Sequence, residues 1–291
     1  VTSTALFAGL VTLDIVQLVE RLPAPNEKVA GLDFSVCAGG PAANAAVAFA
    51  RCGGSPTLVT ALPGHELADL IRADLDRCGV GLLEAAEYAG PPVTASIMVT
   101  RATGDRAVVS PSGVATSGGL AAHAEASLDG VGAVLVDGYF PEVSLPLAAR
   151  ARAAGIPVIL DAGSHKPHTD RVVAHCDVAV VSDDFAPPGT AGEPDRVLAY
   201  LSGLGVDTAV ITRGAGPVLY RSPADAGEVP VPPVSPVVDT LGAGDFFHGA
   251  LAWRLASLGR DDVRLAEDVA FAASVVAASL GTFGTRAWLD S

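Results

Sequence analysis

Lysine is nearly missing from this chain: of 18 basic residues among 291, only Lys28 and Lys166 are lysines. No Gly-Lys-Ser/Thr occurs, so a P-loop that wraps phosphates around a lysine is excluded. Nor does any Gly-x-Gly-x-x-Gly lie between a first strand and a helix with an acid about 20 residues on, which removes the nicotinamide-dehydrogenase pattern. Aromatic residues make up only 5% of the chain, few for a broad platform under a nucleobase. Cysteines number four, Cys37, Cys52, Cys78 and Cys176, with no Cys-x-x-Cys among them. A zinc site or disulfide framework is not indicated, and buried thiols in a reducing cytoplasm are expected. Positive charge is outweighed to a net −14, with a pI near 4.7, which disfavours nucleic acid and anionic membranes as partners. The amino-terminal stretch carries no basic segment before an apolar run and meets Asp14 early, so no signal peptide is expected. The charge-free stretch Val269 to Thr285 falls short of the ~20 apolar residues that span a bilayer and reads as a core helix.

Hydrophobic residues, by contrast, are half of the chain, enough for one large α/β core. Thr4 to Gly9 reads as a first buried strand. Ile15 to Val19 and Val29 to Cys37 flank the Pro23/Pro25 turn as a strand pair, and Pro92 to Thr100 with Arg106 to Ser110 form a second hairpin. A helix follows Pro41, which suits a first helical turn. Leu58 to Ala61 reads as a strand and His65 to Arg77 as an amphipathic helix. From Ala133 onward strands and helices alternate: strand to Val136, helix Val143 to Ala154, strands Pro157 to Leu160 and Val178 to Val181, helix Asp195 to Leu204, strand Thr208 to Thr212. That alternation implies a parallel sheet covered on both faces. Val218 to Arg221 and Glu228 to Val231 read as short antiparallel strands, and helices from about Asp245 to Leu258 and Val263 to Leu280 close the chain.

The chemistry concentrates in Val238-Asp239-Thr240-Leu241-Gly242-Ala243-Gly244-Asp245. A glycine turn running into a helix gathers backbone N–H groups where the helix dipole is positive, an anion hole made by Gly242, Ala243 and Gly244. A carboxylate beside it, Asp245, can take a proton from an alcohol while the amides stabilise a transferring phosphoryl group. Upstream, Gly39-Gly40-Pro41-Ala42-Ala43-Asn44 lets the backbone approach a small ligand, and the Asn44 amide offers a donor and an acceptor to hydroxyls. Asp14 can accept two hydroxyl hydrogen bonds. His165 and His168 follow a strand, but Pro167 between them argues for a polar loop rather than a metal site. Lys28 and Arg106 fall in the hairpins, where surface charge is the simpler role, and His248 is expected to pack or hydrogen-bond within its helix.

The Asp-Thr-Leu-Gly-Ala-Gly-Asp segment resembles the carboxy-terminal signature of the ribokinase-like, or phosphofructokinase-B, carbohydrate kinases. Gly39 to Asn44 resembles their amino-terminal signature, about 200 residues earlier, and Gly9 to Asp14 their opening. Leu10 to Val19 and Pro63-Gly64-His65 look most like the ketohexokinase and fructokinase branch; Gly244 to Leu251 and the Gly39 segment look equally like the branch acting on sulfofructose. The resemblance implies a three-layer α/β/α sandwich with a mostly parallel central sheet over residues 1–291 as one kinase domain. It also implies a small β-sheet lid, from about 15–37 and 92–110, that covers the sugar and often mediates a homodimer. By position, Asp14, Gly39, Gly40, Asn44 and Asp245 would bind a monosaccharide, with Asp245 the general base. Transfer would run from ATP with Mg2+ to a primary hydroxyl of a ketose or pentose type.

The nucleotide side is less regular. Thr212-Arg213-Gly214-Ala215-Gly216 resembles the family's Thr-x-Gly-x-x-Gly turn, but Pro217 holds the last glycine position and Gly216 comes one place early. The family's Asn-x-x-Glu appears as Ser182-Asp183-Asp184-Phe185, leaving Ser182 or Asp183 to substitute. Ala273 matches a residue at the adenine pocket, although its own chemistry is that of a core helix residue. The family often holds a monovalent cation such as K+ beside the anion hole, and Asp239 with the carbonyls of Leu241, Ser279 and Gly284 are the matching positions. Two other readings stay open: a nucleoside or vitamin-like alcohol kinase on the same fold, and a non-catalytic sugar or nucleotide sensor.

Overall fold

The computed structural model describes residues 2–111, 121–122 and 125–290. Its largest element is a ten-stranded sheet. Strands β1 (Thr4–Ala8), β4 (Ser55–Ala61), β5 (Gly81–Glu87), β9 (Ala133–Val136), β10 (Val158–Ala162), β11 (Val178–Ser182) and β12 (Thr208–Thr212) run parallel. The antiparallel strands β13 (Val218–Arg221) and β14 (Ala226–Val229) extend one edge, and the short β8 (Ala121–Ala122) the other. Across the sheet the order is β14, β13, β12, β11, β10, β9, β1, β4, β5, β8.

Alternation along each strand sends side chains to two faces. Ala133 and Leu135 meet the core on one side, under α1 (Pro41–Arg51), α2 (Glu66–Arg77), α6 (Ala243–Leu258) and α7 (Leu265–Ser279). Val134 and Val136 meet the other, under α3 (Pro141–Ala153), α4 (Thr169–Val173) and α5 (Pro194–Gly203). Near-continuous Val/Ile/Leu/Ala strands such as Val158-Ile159-Leu160 are what burial on both faces requires. The result is the three-layer α/β/α sandwich expected. Among the described residues, no helix is long and apolar enough to cross a membrane.

A separate four-stranded sheet stands over the carboxyl ends of the parallel strands, in the order β3 (Gly31–Gly39), β2 (Thr12–Val19), β6 (Thr94–Thr100), β7 (Arg106–Val109). Both expected hairpins are present, β2 with β3 and β6 with β7, and the parallel pairing of β2 with β6 joins them. Its inner face buries Val16, Ala95, Ile97 and Val99 against Leu241 and Phe283 of the main body. The lid is thereby packed directly onto the glycine turn.

The second edge strand begins at Ala226 rather than Glu228. Pairing of Arg221 with Ala226 fixes that register, around a tight turn in which Ser222 N–H donates to the Asp225 carbonyl at 2.7 Å. Helix α6 starts at Ala243, two residues before expectation, because Gly242 turns the chain at φ 77°. Helix α7 is Leu265–Ser279, shorter than the expected Val263 to Leu280. His65 caps α2 instead of starting it, its Nδ1 accepting from Leu67 N–H at 3.1 Å. Strand β5 and helix α4 were not anticipated. Gly81-Leu82-Leu83-Glu84-Ala85-Ala86-Glu87 has weak β character of its own, and its pairing with β4 supplies what propensity lacks.

Candidate active site

In an open α/β sheet, ligands sit outside the carboxyl ends of the strands where strand order reverses. Here that point is β1, with β4 on one side and β9 on the other. The loops leaving β1, β9, β10, β11 and β12 all open there, and α1 and α6 present their amino termini to the same cleft.

Gly39 ends β3 directly over Asp14 of β2: a Cβ at Gly39 would lie 1.9 Å from Asp14 Oδ2. Only glycine leaves room for that carboxylate. Asp14 is buried, accepts a 2.5 Å hydrogen bond from Thr12 Oγ1, and has its carboxyl raised by burial, with the Thr12 bond and the Arg286 charge opposing. Gly40 sits at φ 95°, a left-handed conformation that a side chain would strain, with the Leu10 carbonyl 2.5 Å from its would-be Cβ. One turn into α1, Asn44 donates through Nδ2 to Asp245 Oδ2 at 2.9 Å, although the two residues are 201 positions apart. The two glycine-rich segments therefore meet at one hydrogen bond.

Gly242 supplies the positive φ that swings the chain into α6. Gly244 is exposed, and a Cβ there would meet nothing within 4 Å, so space stands open above the turn. The first N–H groups of any helix have no acceptor within it, which leaves those of Gly244 and Asp245 facing the opening. Asp239 holds the turn in place: its Oδ1 accepts from Leu241 N–H at 2.8 Å and its Oδ2 from Gly284 N–H at 2.9 Å. The Leu280 carbonyl accepts from Val238 N–H at 2.8 Å. Asp239, Leu241, Ser279 and Gly284 are thus gathered where the loop after α7 meets the turn.

Acidic groups crowd behind Asp245. Its carboxyl is pushed up to about 7, first by burial, then by the neighbouring Asp161 charge, with the Asn44 bond and His248 pulling the other way. Asp161, which β10 carries to its end instead of leaving it in a loop, is raised likewise by burial, with the Lys166 charge opposing. Its Oδ2 is buried with no hydrogen-bond partner and lies 3.4 Å from His248 Nδ1. His248 sets Nδ1 2.5 Å from the Gly244 carbonyl of its own helix, as expected, and Nε2 3.2 Å from the Val180 carbonyl; the neutral ring donates to one of them at a time. Burial holds its imidazole below the ordinary value.

Three groups in this cleft escaped the sequence reading. Asp137, at the end of β9, accepts N–H bonds from Leu10 at 2.8 Å, Ala42 at 3.2 Å and Tyr139 at 2.8 Å, tying the loop after β1 to the start of α1. Burial raises its carboxyl to about 7 against the Tyr139 and Leu10 donors. Its signal was available: an acid directly after a buried parallel strand. Gly9 is its counterpart, since a Cβ there would fall 2.0 Å from Asp137 Oδ1. Lys166 lies 4.0 Å over the Tyr139 ring, and its charge bears on both Asp137 and Asp161. Arg286 is the third, and nothing in its sequence context marked it.

At the other end of the cleft, Ser182 and Thr212 finish adjacent strands in register. Ser182 Oγ donates to the Gly163 carbonyl at 2.8 Å. Gly214, at φ 55° and with nothing near its would-be Cβ, and Gly216, whose N–H donates to the Arg213 carbonyl at 2.8 Å, form an open turn beyond β12. Arg213 Nε donates to the Pro217 carbonyl at 2.8 Å, bracing the irregular position. Phe185, at the place of the family's glutamate, points into the core. Ala273 is likewise buried in the core with α7 and does not line the cleft surface. His165 bonds Asp170 at 3.0 Å and His168 bonds the Gly138 carbonyl at 2.5 Å, so the two are engaged separately. Among the described residues no three His, Cys, Asp or Glu side chains gather to hold a metal.

Comparison with known proteins decides the family. The pattern of the "pfkB family carbohydrate kinase" matches residues 3–290. The chain belongs to the pfkB family of carbohydrate kinases. It is a sugar kinase, a phosphotransferase with a ribokinase-like fold. It is 27% identical over 284 residues to ribokinase from Bacillus subtilis, covering 96% of this chain and 93% of that one. The structure of Arabidopsis thaliana ribokinase, complexed with ribose and ATP, superimposes with a TM-score of 0.74 at 22% identity, covering 98% of this chain and 94% of the other. A fructokinase from Xylella fastidiosa with bound ATP gives 0.72 at 23% identity with the same coverage.

Proposed function

We propose that this kinase transfers the γ-phosphate of ATP to a primary hydroxyl of a monosaccharide of ketose or pentose type, the chain acting as one catalytic unit beneath its lid. The observation that carries the reading is the 2.9 Å bond from Asn44 to Asp245, which sets a hydroxyl-binding amide beside a carboxylate at the mouth of an anion hole. ATP as donor is supported by the ATP complexes of the similar ribokinase and fructokinase. The open turn at Gly214 and Gly216 and the strand ends at Ser182 and Thr212 are where the nucleotide would lie, with Ala273 contributing to the adenine side only from within the core.

Asp14, the backbone at Gly39 and Gly40, and Asn44 orient the sugar. Asp245 accepts the hydroxyl proton, the freed oxygen attacks the γ-phosphorus, and the bond to the β–γ bridging oxygen breaks to leave ADP. Amides of Gly242 and Gly244 and the start of α6 face the charge that spreads over the transferring oxygens, the Ala243 N–H being turned to the Thr240 carbonyl at 3.3 Å. A base raised to about 7 is poised to take and release a proton near neutral pH. Asp161, whose buried Oδ2 lacks a partner, is the carboxylate fitted to hold Mg2+, in place of the acid missing at Phe185. Magnesium held there with ATP would neutralise the phosphate charge. Asp239 and the carbonyls of Leu241, Ser279 and Gly284 would hold K+ beside the turn.

The outer lid face exposes Ile15, Leu32, Phe34, Val36 and Val109, which supports a homodimer through the lid. Four free thiols accord with a reducing compartment such as the cytoplasm. The test is ADP release from ATP and Mg2+ against ketoses, pentoses, sugar acids and nucleosides, with Asp245→Asn alongside. Turnover of a sugar that falls more than about a hundredfold in the variant, with sugar binding kept, is expected for loss of a general base. A variant retaining a tenth of the rate removes Asp245 from that role.

A further inference from the structure

Arg286 is partly buried next to the sugar side of the cleft, two residues beyond the Gly284 that ties down Asp239. Its Nη1 donates to Asn44 Oδ1 at 3.1 Å and to the Thr285 carbonyl at 3.0 Å, its Nη2 to the Ala38 carbonyl at 2.5 Å, and its Nε to Asp74 Oδ2 at 3.0 Å. Asp74, buried on α2, is itself held by Ala38 N–H at 3.0 Å and by Arg77. Four of the five N–H donors of Arg286 are thus taken by acceptors from four separate segments of the chain.

A guanidinium has donors and no acceptor. The Asn44 amide must therefore turn its oxygen to Arg286, and its nitrogen is forced towards Asp245. We propose that Arg286 is a positioning residue for phosphoryl transfer, dictating which way the Asn44 amide faces and so keeping a donor on the catalytic carboxylate. The chain Asp74, Arg286, Asn44, Asp245 links α2, the segment after α7, α1 and α6. This rests on Asp245 being the base.

The consequence is read in pH dependence. Asp245 is faced by Asn44 from α1, Asp161 from β10, Asp14 from β2 and His248 on its own helix; Asp74, Asp14, Cys37 and Cys78 surround Arg286. Donation from Asn44 favours ionised Asp245, so an amide free to flip lets that carboxyl rise. Arg286→Lys keeps the positive charge beside Asp74 and Asp14, but one ammonium cannot span Asp74, Ala38 and Asn44 as the planar fork does. In Arg286→Lys we expect kcat/KM for the sugar to fall at least about tenfold and the acid limb of its pH profile to move upward by about half a unit or more. Arg286→Met should do the same more strongly where it folds.

The decisive arm is the double-variant cycle. With Asn44→Ala already present, Arg286→Lys should leave the acid limb where it stands. An unmoved limb in the single Arg286→Lys variant, or an equal movement with Asn44 gone, overturns the proposal and leaves Arg286 a fold anchor. The base reading fails separately, if Asp245→Asn stays active; an inactive Asp245→Asn with an unmoved Arg286→Lys limb condemns the positioning role alone.

Discussion

Gly39→Ala offers a sharp test of how the sugar side is built. The added Cβ would stand 1.9 Å from Asp14 Oδ2, 2.1 Å from Cγ and 2.3 Å from Oδ1. Non-bonded heavy atoms tolerate no less than about 3 Å, so the carboxylate must retreat by about 1 Å or more. The obstructing atoms are the end of a side chain, which can rotate, so the fold should survive with a small loss of melting temperature. Function should not, because a carboxylate moved by 1 Å no longer meets both the Thr12 hydroxyl and a sugar hydroxyl. A lost charge-assisted hydrogen bond amounts to about 1.5–3 kcal/mol, or about 10- to 150-fold in kcat/KM for the sugar. The KM for ATP, proposed to bind at the Gly214 turn, should stay within about twofold. Steady-state kinetics with each substrate varied in turn, on protein shown to be folded by thermal melting, is the assay. A folded Gly39→Ala enzyme with unchanged kcat/KM for the sugar would refute the placement of Asp14 at the substrate. Gly40→Ala is the contrast: its obstacle is the Leu10 backbone and its φ is 95°, so there the loss should fall on stability.

Two more outcomes follow from the charges in the cleft. Asp161 has a carboxyl raised by burial above its unfolded value, so the stability it contributes is present at acid pH and is lost as pH rises through about 7. Asp161→Asn, which removes the buried charge, should raise the melting temperature most at pH 8, less at pH 5, and hardly at all below the unfolded carboxyl's 3.8, where both states are protonated; equal shifts at pH 8 and pH 5 would contradict the assignment. Asp239→Asn turns a carboxylate that accepts from two N–H groups into an amide with one acceptor, which should loosen the glycine turn. Its rate should fall at least about tenfold together with any stimulation by K+, and a K+ response unchanged from wild type would remove Asp239 from that site.

Local chemistry made much of this protein readable from its residues. The strands from Ala133 onward are short, apolar and regularly interrupted by helices, and a buried parallel sheet leaves that signature whatever the details of packing. Gly242-Ala243-Gly244-Asp245 and Gly39-Gly40 were legible because tight turns and close approaches admit little else. Strand β5 was not legible, since Glu84 and the alanines around it take their conformation from β4. The edge strand at Ala226 was misplaced for the same reason: its register belongs to its partner.

The sites divide in the same way. Asp14, Asn44, Asp239 and Asp245 lie in segments that resemble the family's signatures, so they could be singled out from the chain alone. Asp137, Asp161 and Arg286 acquire their meaning only from neighbours 95, 84 and 242 positions away in sequence, at Ala42, Asp245 and Asn44. No local pattern encodes such pairings, because they depend on where strand ends and helix starts converge. Sequence by itself determined the family, the layered fold and the two glycine-rich turns that face each other. Tertiary structure alone decided that one amide bridges those turns, that an arginine sets the direction of that amide, and that a second buried carboxylate raises the first. The physical reason is that turns and periodicities are written in steps of a few residues, whereas hydrogen-bond direction and electrostatic proximity exist only once the chain has closed on itself.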